Sequence, residues 1–257
     1  MNGSPAWAVE RSRLVSGAVL SPPKEGPDVC RVCHGWVRPG YRLCFSCRIT
    51  MGAVTDPCGR VSVISLYRPG SPLHEILRGY KDEPGAAGAS RAERLGALIA
   101  RHLWENGAAI APEGWDALAV VPSTAGRPGP HPLEAALATT FLGAQLWPGL
   151  LAPGPVGADH RRADDRAFSV TADVRGARLV VVDDTWTTGA RAQSAASALQ
   201  RAGASVETVV VAGRVVTPIS GAPTGAWWRR HGPAAAKFRK APAQENRLSS
   251  PTGRPDA

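Results

Sequence analysis

Two adjacent carboxylates and a short run of hydroxyl residues follow an apolar stretch late in the chain. Residues 179–182 are apolar, Asp183 and Asp184 come next, and a Thr-Thr-Gly string occupies residues 187–189. Carboxylates can hold sugar hydroxyls or a hard cation. Free N–H groups and hydroxyls at the start of a helix hold phosphate, and a glycine lets the backbone approach it closely. A sugar phosphate would satisfy both halves of the segment.

Other interpretations of this segment make different demands on the chain. A purely structural one makes Asp-Asp-Thr a turn and Thr187 a helix cap. A Walker B strand needs a Gly-Lys-Ser/Thr phosphate loop upstream, which this sequence lacks. A receiver domain carries its acidic pair near its start, whereas this pair comes late. Trp186 either packs under the loop or stacks on a substrate, and the sequence leaves both open.

Four cysteines form a second group with chemical potential. They make two Cys-x2-Cys pairs separated by ten residues: Cys30, Cys33, Cys44 and Cys47. Four thiolates suit one tetrahedral Zn²⁺ in a closed, structural site. Unrelated buried cysteines are the plain alternative, and Cys33-His34 also completes a c-type haem attachment string. Cys58 is left over and receives no role.

Alternating strands and helices must position these groups. Apolar runs predict strands at 61–67, 117–121, 178–182 and 206–212. Helical periodicity predicts helices at 72–80, 90–104, 131–146 and 191–202, the second with a capping box from Ser90 to Glu93. This alternation predicts an α/β domain with a parallel sheet flanked by helices. We therefore divide the chain into a disordered segment (1–27), a zinc-binding module (28–58), the α/β domain (59–217) and a basic disordered tail (218–257).

Composition and charge narrow the class of partner. The chain has 257 residues, 44% of them hydrophobic, with a formal net charge of +9. From Arg214 onward there are eight basic and two acidic residues, so the tail carries most of that charge. Such a balance suits anionic partners. No apolar run reaches the length of a membrane span, and the cysteine pattern favours a reducing compartment, so we expect a cytoplasmic protein.

The segment 180–191 resembles the phosphoribosyl pyrophosphate (PRPP) signature of the type I phosphoribosyltransferases, in which two acidic residues and two variable residues precede Thr-Thr-Gly. This resemblance implies that fold, a twisted parallel sheet flanked by helices, and PRPP bound with Mg²⁺. Asp183 and Asp184 would hold the ribose. The 5-phosphate would lie on Thr185, Trp186, Thr187, Thr188, Gly189, Ala190 and Arg191. An earlier pyrophosphate loop would comprise Pro122, Ser123, Thr124 and Arg127, or these form a turn with a solvated arginine. A candidate lid, or a plain surface loop, contains Arg161, Arg162 and Arg166.

Cysteine knuckles ahead of a PRPP signature are similar to the ComF family of competence-associated phosphoribosyltransferase-like proteins. Supporting residues over 30–214 are Tyr67, Leu73, Ile76, Leu77, Tyr80, Lys81, Ala167 and Phe168. The chain departs from that family after Pro122, where Ser123 and Thr124 replace a second Val-Pro, and it lacks the asparagine expected near Ala163. The resemblance implies transfer of a phosphoribosyl group to an unknown base or amine. The alternative is a non-catalytic nucleotide- or single-stranded-DNA-binding protein of DNA uptake.

The basic tail adds one further expectation. Three aromatic residues stand among its cations. The aromatic residues are Trp227, Trp228 and Phe238, and the cations are Arg229, Arg230, Lys237, Arg239 and Lys240. The aromatic rings could stack on the bases of single-stranded nucleic acid while the cations neutralise its phosphates. The alternative is a solvated disordered tail. Assembly into a homodimer is left open.

Overall fold

A four-stranded parallel sheet forms the centre of the protein. The computed structural model describes residues 3–123 and 131–232. Within them the strands are β1 (Val61–Tyr67), β2 (Ala117–Val120), β3 (Leu151–Pro153), β4 (Phe168–Val170), β5 (Arg178–Trp186) and β6 (Ser205–Val215). The helices are α1 (Pro5–Ser16), α2 (Phe45–Gly52), α3 (Pro72–Asp82), α4 (Gly85–Ile110), α5 (Pro132–Ala138), α6 (Ala190–Arg201) and α7 (Pro223–His231), with a 3-10 turn at Phe141–Ala144. The sheet order is β1-β6-β5-β2, and β3 and β4 form a separate antiparallel pair.

The two faces of the sheet are covered by different layers. Along β5, successive side chains point to opposite faces. Val180 and Val182 pack with α3 and α4, whereas Leu179 and Val181 pack with α6 and the cysteine-rich segment. All four are fully buried, as expected for a central parallel strand covered on both sides. The predicted α/β architecture with a parallel sheet flanked by helices is therefore confirmed.

Several predicted boundaries were wrong, and one matters for the site. Strand β5 continues to Trp186 rather than ending at residue 182. Asp183 and Asp184 therefore lie within the part of β5 that pairs with β6. Helix α4 begins at Gly85 without a side-chain cap, so the capping box predicted from Ser90 does not form. The helix predicted over 131–146 ends at Ala138 and is followed by the 3-10 turn.

Both segments expected to lack structure contain a helix. In α1, the Ser4 hydroxyl accepts a hydrogen bond from the Trp7 N–H, and Ala8 and Val15 are buried in the same core as α4. Sequence periodicity missed this helix because its apolar stripe is narrow. In α7, Trp227 is fully buried with Leu66. The disorder predictions for 1–27 and for the start of 218–257 were therefore wrong, while Phe238 and the cations near it lie outside the described residues.

No helix in residues 3–123 or 131–232 is both long enough and apolar enough to cross a membrane.

Candidate functional site

The carboxyl end of β5 and the start of α6 enclose a small polar pocket. The pocket has a volume of about 280 Å³, and its lining includes Asp183, Asp184, residues 187–191 and Lys81. Ligands of parallel α/β sheets bind at this edge, because the strand ends and helix N-termini converge there. The carboxylates and the Thr-Thr-Gly string identified in the sequence thus line one pocket.

Asp184 is already engaged by two groups from helix α3. Its Oδ2 lies 2.6 Å from the Lys81 Nζ and accepts a hydrogen bond of 2.8 Å from the Tyr80 hydroxyl. Burial opposes the charge of this carboxylate. The charge of Lys81 and the hydrogen bonds from Lys81 and Tyr80 outweigh burial, so the pKa of Asp184 lies below its ordinary value. Asp184 is therefore an ionised carboxylate held by the α3 face.

Asp183 occupies a different environment one residue earlier. Its side chain lies close to that of Asp184 in the same pocket, and its Oδ1 accepts a hydrogen bond of 2.9 Å from the Asp184 N–H. Burial first, and then repulsion from Asp184, raise the pKa of Asp183 to about 7, although Arg191 and Lys81 oppose the shift. Its charge is the more weakly compensated of the two, which leaves it able to gain from a ligand hydroxyl or a cation.

The loop between strand and helix is shaped around Gly189. This residue adopts a left-handed conformation (φ +85°) and directly precedes α6. The Thr188 hydroxyl accepts a hydrogen bond of 3.2 Å from the Ala190 N–H and donates one to the His160 carbonyl. Trp186 is fully buried under the loop. Of the two interpretations left open for Trp186, the structure therefore has it packing under the loop, away from any substrate.

The predicted pyrophosphate loop is only partly covered by the described residues. Arg191, at the start of α6, donates a hydrogen bond from its guanidinium to the Pro122 carbonyl, and its Nε is buried without a partner in the described residues. Pro122 and Ser123 therefore lie near the Thr-Thr-Gly loop. Thr124 and Arg127 lie outside the described residues.

The candidate lid is anchored at its carboxyl end. Ala163 is buried against Val54 and Ala190, and the Asp164 N–H donates to the Ser194 hydroxyl at 3.0 Å. The arginines proposed as clamps are exposed, and Arg166 lies 3.5 Å from Asp164 rather than in the pocket.

His160 is the member of that loop which lines the pocket, and sequence reasoning missed it. Sequence reasoning also gave no site role to three residues of α3, Tyr80, Lys81 and Arg78. Lys81 and Arg78 line the pocket. Their spacing was a usable signal: the helix that places Leu77 in the core sets Lys81 one turn further, above the sheet edge.

The four predicted cysteine ligands come together in a second, separate cluster. Their Sγ atoms all lie within 4.8 Å of one another, and Cys33 Sγ is 3.7 Å from Cys44 Sγ. Four sulfurs around one zinc at about 2.3 Å would be about 3.8 Å apart. Backbone N–H groups also point at the sulfurs, from Cys44 to Cys30 at 3.3 Å and from Cys47 to Cys44 at 3.5 Å. The cluster can hold a metal such as zinc, and all four cysteines are buried.

The cysteine module (residues 28–58) packs directly on α6, the helix that begins at the pocket. The buried side chain of Gln193 makes two hydrogen bonds of 2.9 Å with the backbone of Cys58. The Thr50 hydroxyl of α2 approaches the Thr188 carbonyl at 3.4 Å. Cys58 itself stays outside the cluster, and its thiol donates to the Arg60 carbonyl at 3.1 Å.

No protein-family model matches this sequence, and a search of curated proteins yields no significant match.

Proposed function

We propose that this protein binds PRPP and transfers its phosphoribosyl group to a base or amine acceptor. The observation that supports the proposal is the juxtaposition in one pocket of two buried carboxylates with a left-handed glycine at the start of α6. A helix N-terminus attracts the 5-phosphate, and carboxylates suit the ribose hydroxyls. The parallel sheet with a pocket at the carboxyl end of its strands supports the proposal, because sugar phosphates bind at that edge in α/β proteins.

In this proposal the chain's own groups divide the ligand between them. Residues 187–191 hold the 5-phosphate through N–H groups and hydroxyls. Asp183 accepts hydrogen bonds from the ribose hydroxyls. The affinity of the pocket for the ribose rises as Asp183 loses its proton, because the ionised carboxylate is the stronger acceptor. Lys81 and Arg191 place positive charge near the departing pyrophosphate, which stabilises charge that develops as the C1–oxygen bond breaks. Mg²⁺ bound with PRPP would supply further charge neutralisation, and buried carboxylate oxygens are donors of the kind it prefers.

The direct test combines binding with product formation. Calorimetry of the full chain with PRPP and Mg²⁺, and with ribose 5-phosphate, measures occupation of the pocket. Pyrophosphate release with a panel of bases and amines measures transfer. Asp183→Asn and Asp184→Asn keep the shape of the side chain and remove its charge. Each should therefore lower the affinity for PRPP by roughly tenfold or more. If neither PRPP nor ribose 5-phosphate binds at millimolar concentration, the proposal is wrong. If both bind without pyrophosphate release under any acceptor, the transferase part is wrong.

A second candidate function, binding of single-stranded nucleic acid without catalysis, is favoured by the surface of the cysteine module. Phe45 is 72% exposed and Tyr41 is 55% exposed, and the guanidinium of Arg48 lies 5.9 Å from the centre of the Phe45 ring. Exposed aromatic faces beside cations are a platform for unpaired bases. The buried Trp227, which the sequence suggested for this role, cannot stack on a base.

This candidate has its own experiment. Phe45→Ala should lower the affinity for an oligonucleotide by roughly tenfold, because stacking contributes about 1–3 kcal/mol per base. Ile49→Ala is a matched control, since Ile49 is an exposed apolar residue of the same helix. Equal effects of the two substitutions would count against the stacking platform.

A further inference from the structure

Arg214 lies between the cysteine cluster and the strand that carries the carboxylates. It stands near the end of β6, in register with Trp186 at the end of β5. Its Nη1 donates to the Trp186 carbonyl at 3.3 Å and also to the Val215 carbonyl. Its Nε is fully buried and has no hydrogen-bond acceptor among the described residues. Nη1 of this guanidinium is therefore hydrogen-bonded to the end of the sheet, whereas Nε is not.

The Nε side of the guanidinium faces the cysteines. A methyl group placed on Gly35 would stand 3.4 Å from both Nε and Nη2 of Arg214 and 3.5 Å from the Cys33 Sγ. The guanidinium and the sulfur thus border the same small space beside Gly35. Four thiolates around a divalent ion carry a net charge of −2, so a cation at this position offsets part of that excess.

The contact with Trp186 extends to the loop. The Trp186 ring lies under Gly189, the left-handed residue that shapes the candidate phosphate site. An independent contact runs in parallel, from the Thr50 hydroxyl of α2 to the Thr188 carbonyl. Two routes therefore connect the cysteine module to the loop: one passes through Arg214 to Trp186, and the other runs from Thr50 of α2 to Thr188.

We propose that Arg214 is a positioning residue that couples the four-thiolate metal site to the phosphate loop, so that the loop is ordered for an anion only when the metal is bound. The part that concerns the anion rests on the proposed function. Outer groups that contact metal ligands commonly change metal affinity by about 10–100-fold when removed. Here the same group also fixes a backbone carbonyl at the base of the loop.

Three substitutions separate charge from geometry. Arg214→Met removes both the charge and the hydrogen bonds. Arg214→Lys keeps the charge but lacks the planar fork that can meet a sulfur and a carbonyl together. Arg178→Met is the control, because Arg178 is an arginine at the opposite end of the neighbouring strand β5, paired with Asp116 at 2.8 Å.

Metal affinity is measured by competition with a chelator, and the thiolate-to-metal absorption of the Co²⁺-substituted protein reports the ligand field. We expect Arg214→Met to lower zinc affinity by about 10–100-fold and to shift the cobalt spectrum. Arg214→Lys should recover most of the affinity, and Arg178→Met should change neither quantity. Wild-type affinity and an unshifted spectrum in Arg214→Met would overturn the proposal.

Loop order is measured without any ligand, by hydrogen exchange of the amides of residues 185–191. Exchange should accelerate in zinc-stripped wild-type protein and in both Arg214 variants, including Arg214→Lys, whose metal site is nearly intact. Unchanged exchange in the loop would overturn the coupling even if zinc affinity falls. Ribose 5-phosphate titration then tests the anion. If the wild type binds none, the proposed function fails, while the exchange and cobalt measurements still decide the role of Arg214.

Discussion

The indole ring of Trp186 lies directly beneath Gly189, so close that a Cβ on Gly189 would stand 2.2 Å from the ring's Cζ2 atom. The glycine is required twice over, because its φ of +85° also disfavours any side chain. The loop at the start of α6 therefore rests on a rigid, fully buried surface, and its shape depends on the absence of one methyl group.

Gly189→Ala should weaken binding of ribose 5-phosphate by at least about tenfold, because the loop must move to relieve the contact and loses a hydrogen bond to the phosphate. Gly203→Ala is the matched control. Gly203 also has a positive φ, of +98°, and a Cβ there would stand 2.9 Å from the Arg175 Cγ, but it lies at the far end of α6 and does not line the pocket. Calorimetry should show affinity within about twofold of wild type for the control. Equal losses in both variants would indicate a general effect on stability.

Lys81→Met should lower the free energy of unfolding by about 3 kcal/mol, because it leaves the buried Asp184 carboxylate without its cation. We take the lower end of the usual range since the Lys81 side chain is 20% exposed. Adding Asp184→Asn should restore much of the loss, because no uncompensated charge then remains. Urea unfolding of the two single variants and the double variant measures this coupling, and strict additivity would contradict it.

Asp183→Asn should stabilise the protein at alkaline pH. The pKa of Asp183 is raised to about 7 in the folded protein, against about 3.9 in an unfolded chain. The folded state therefore binds the extra proton between these values, and wild-type stability falls as the pH rises through that window. Asparagine does not titrate, so the variant's advantage should be small at pH 5 and larger at pH 8. Asp173→Asn, at an exposed carboxylate, should show no such growth in urea unfolding at the two pH values.

Cys44→Ser should abolish zinc binding and destabilise the N-terminal module, because that segment has little apolar core of its own and depends on its metal ligands. Purified wild-type protein should contain about one zinc per chain by metal analysis. Cys58→Ser is the control, since Cys58 is buried but outside the cluster. Retention of zinc by Cys44→Ser, or its loss from Cys58→Ser, would contradict the assignment.

Trp227→Ala should destabilise the protein by about 3–5 kcal/mol, because it removes a fully buried aromatic side chain that packs on Leu66 and Val216. Trp228→Ala should cost much less, since Trp228 is only partly buried and its ring lies 5.5 Å from the Arg68 guanidinium. Thermal unfolding of the two variants compares neighbouring residues of the same type in one helix. Similar melting temperatures would mean that α7 is not held on the domain.

The four strands of the central sheet could be predicted, because continuous apolar runs are buried as strands of a parallel sheet covered on both faces. The short strands β3 and β4 could not, since three residues give no periodic pattern. The limits of β5 could not be predicted from hydropathy. Asp183 and Asp184 break the apolar run, yet the backbone continues to pair with β6 through Trp186, and backbone pairing does not depend on side-chain polarity.

The contacts missed from sequence are those between distant segments. Lys81 precedes Asp184 by about a hundred residues, and nothing local indicates that the two meet. The same holds for Arg214, which appeared in the sequence only as the first cation of a basic tail. Helix α7 was missed because its single inward tryptophan gives no periodic stripe, and its stability comes from packing on the sheet rather than from its own composition.

The order of strands in the sheet also constrains how the protein emerges from the ribosome. β1 and β2, which are synthesised first, do not pair with each other; each pairs with a strand made much later, β6 and β5 respectively. No ladder of the central sheet can therefore close until residues beyond 178 have left the exit tunnel. Until then the nascent chain carries two unpaired apolar strands, a state prone to aggregation. The four cysteines that can hold a metal all lie within residues 30–47, so a metal bound there would be captured before any ladder of the central sheet has closed.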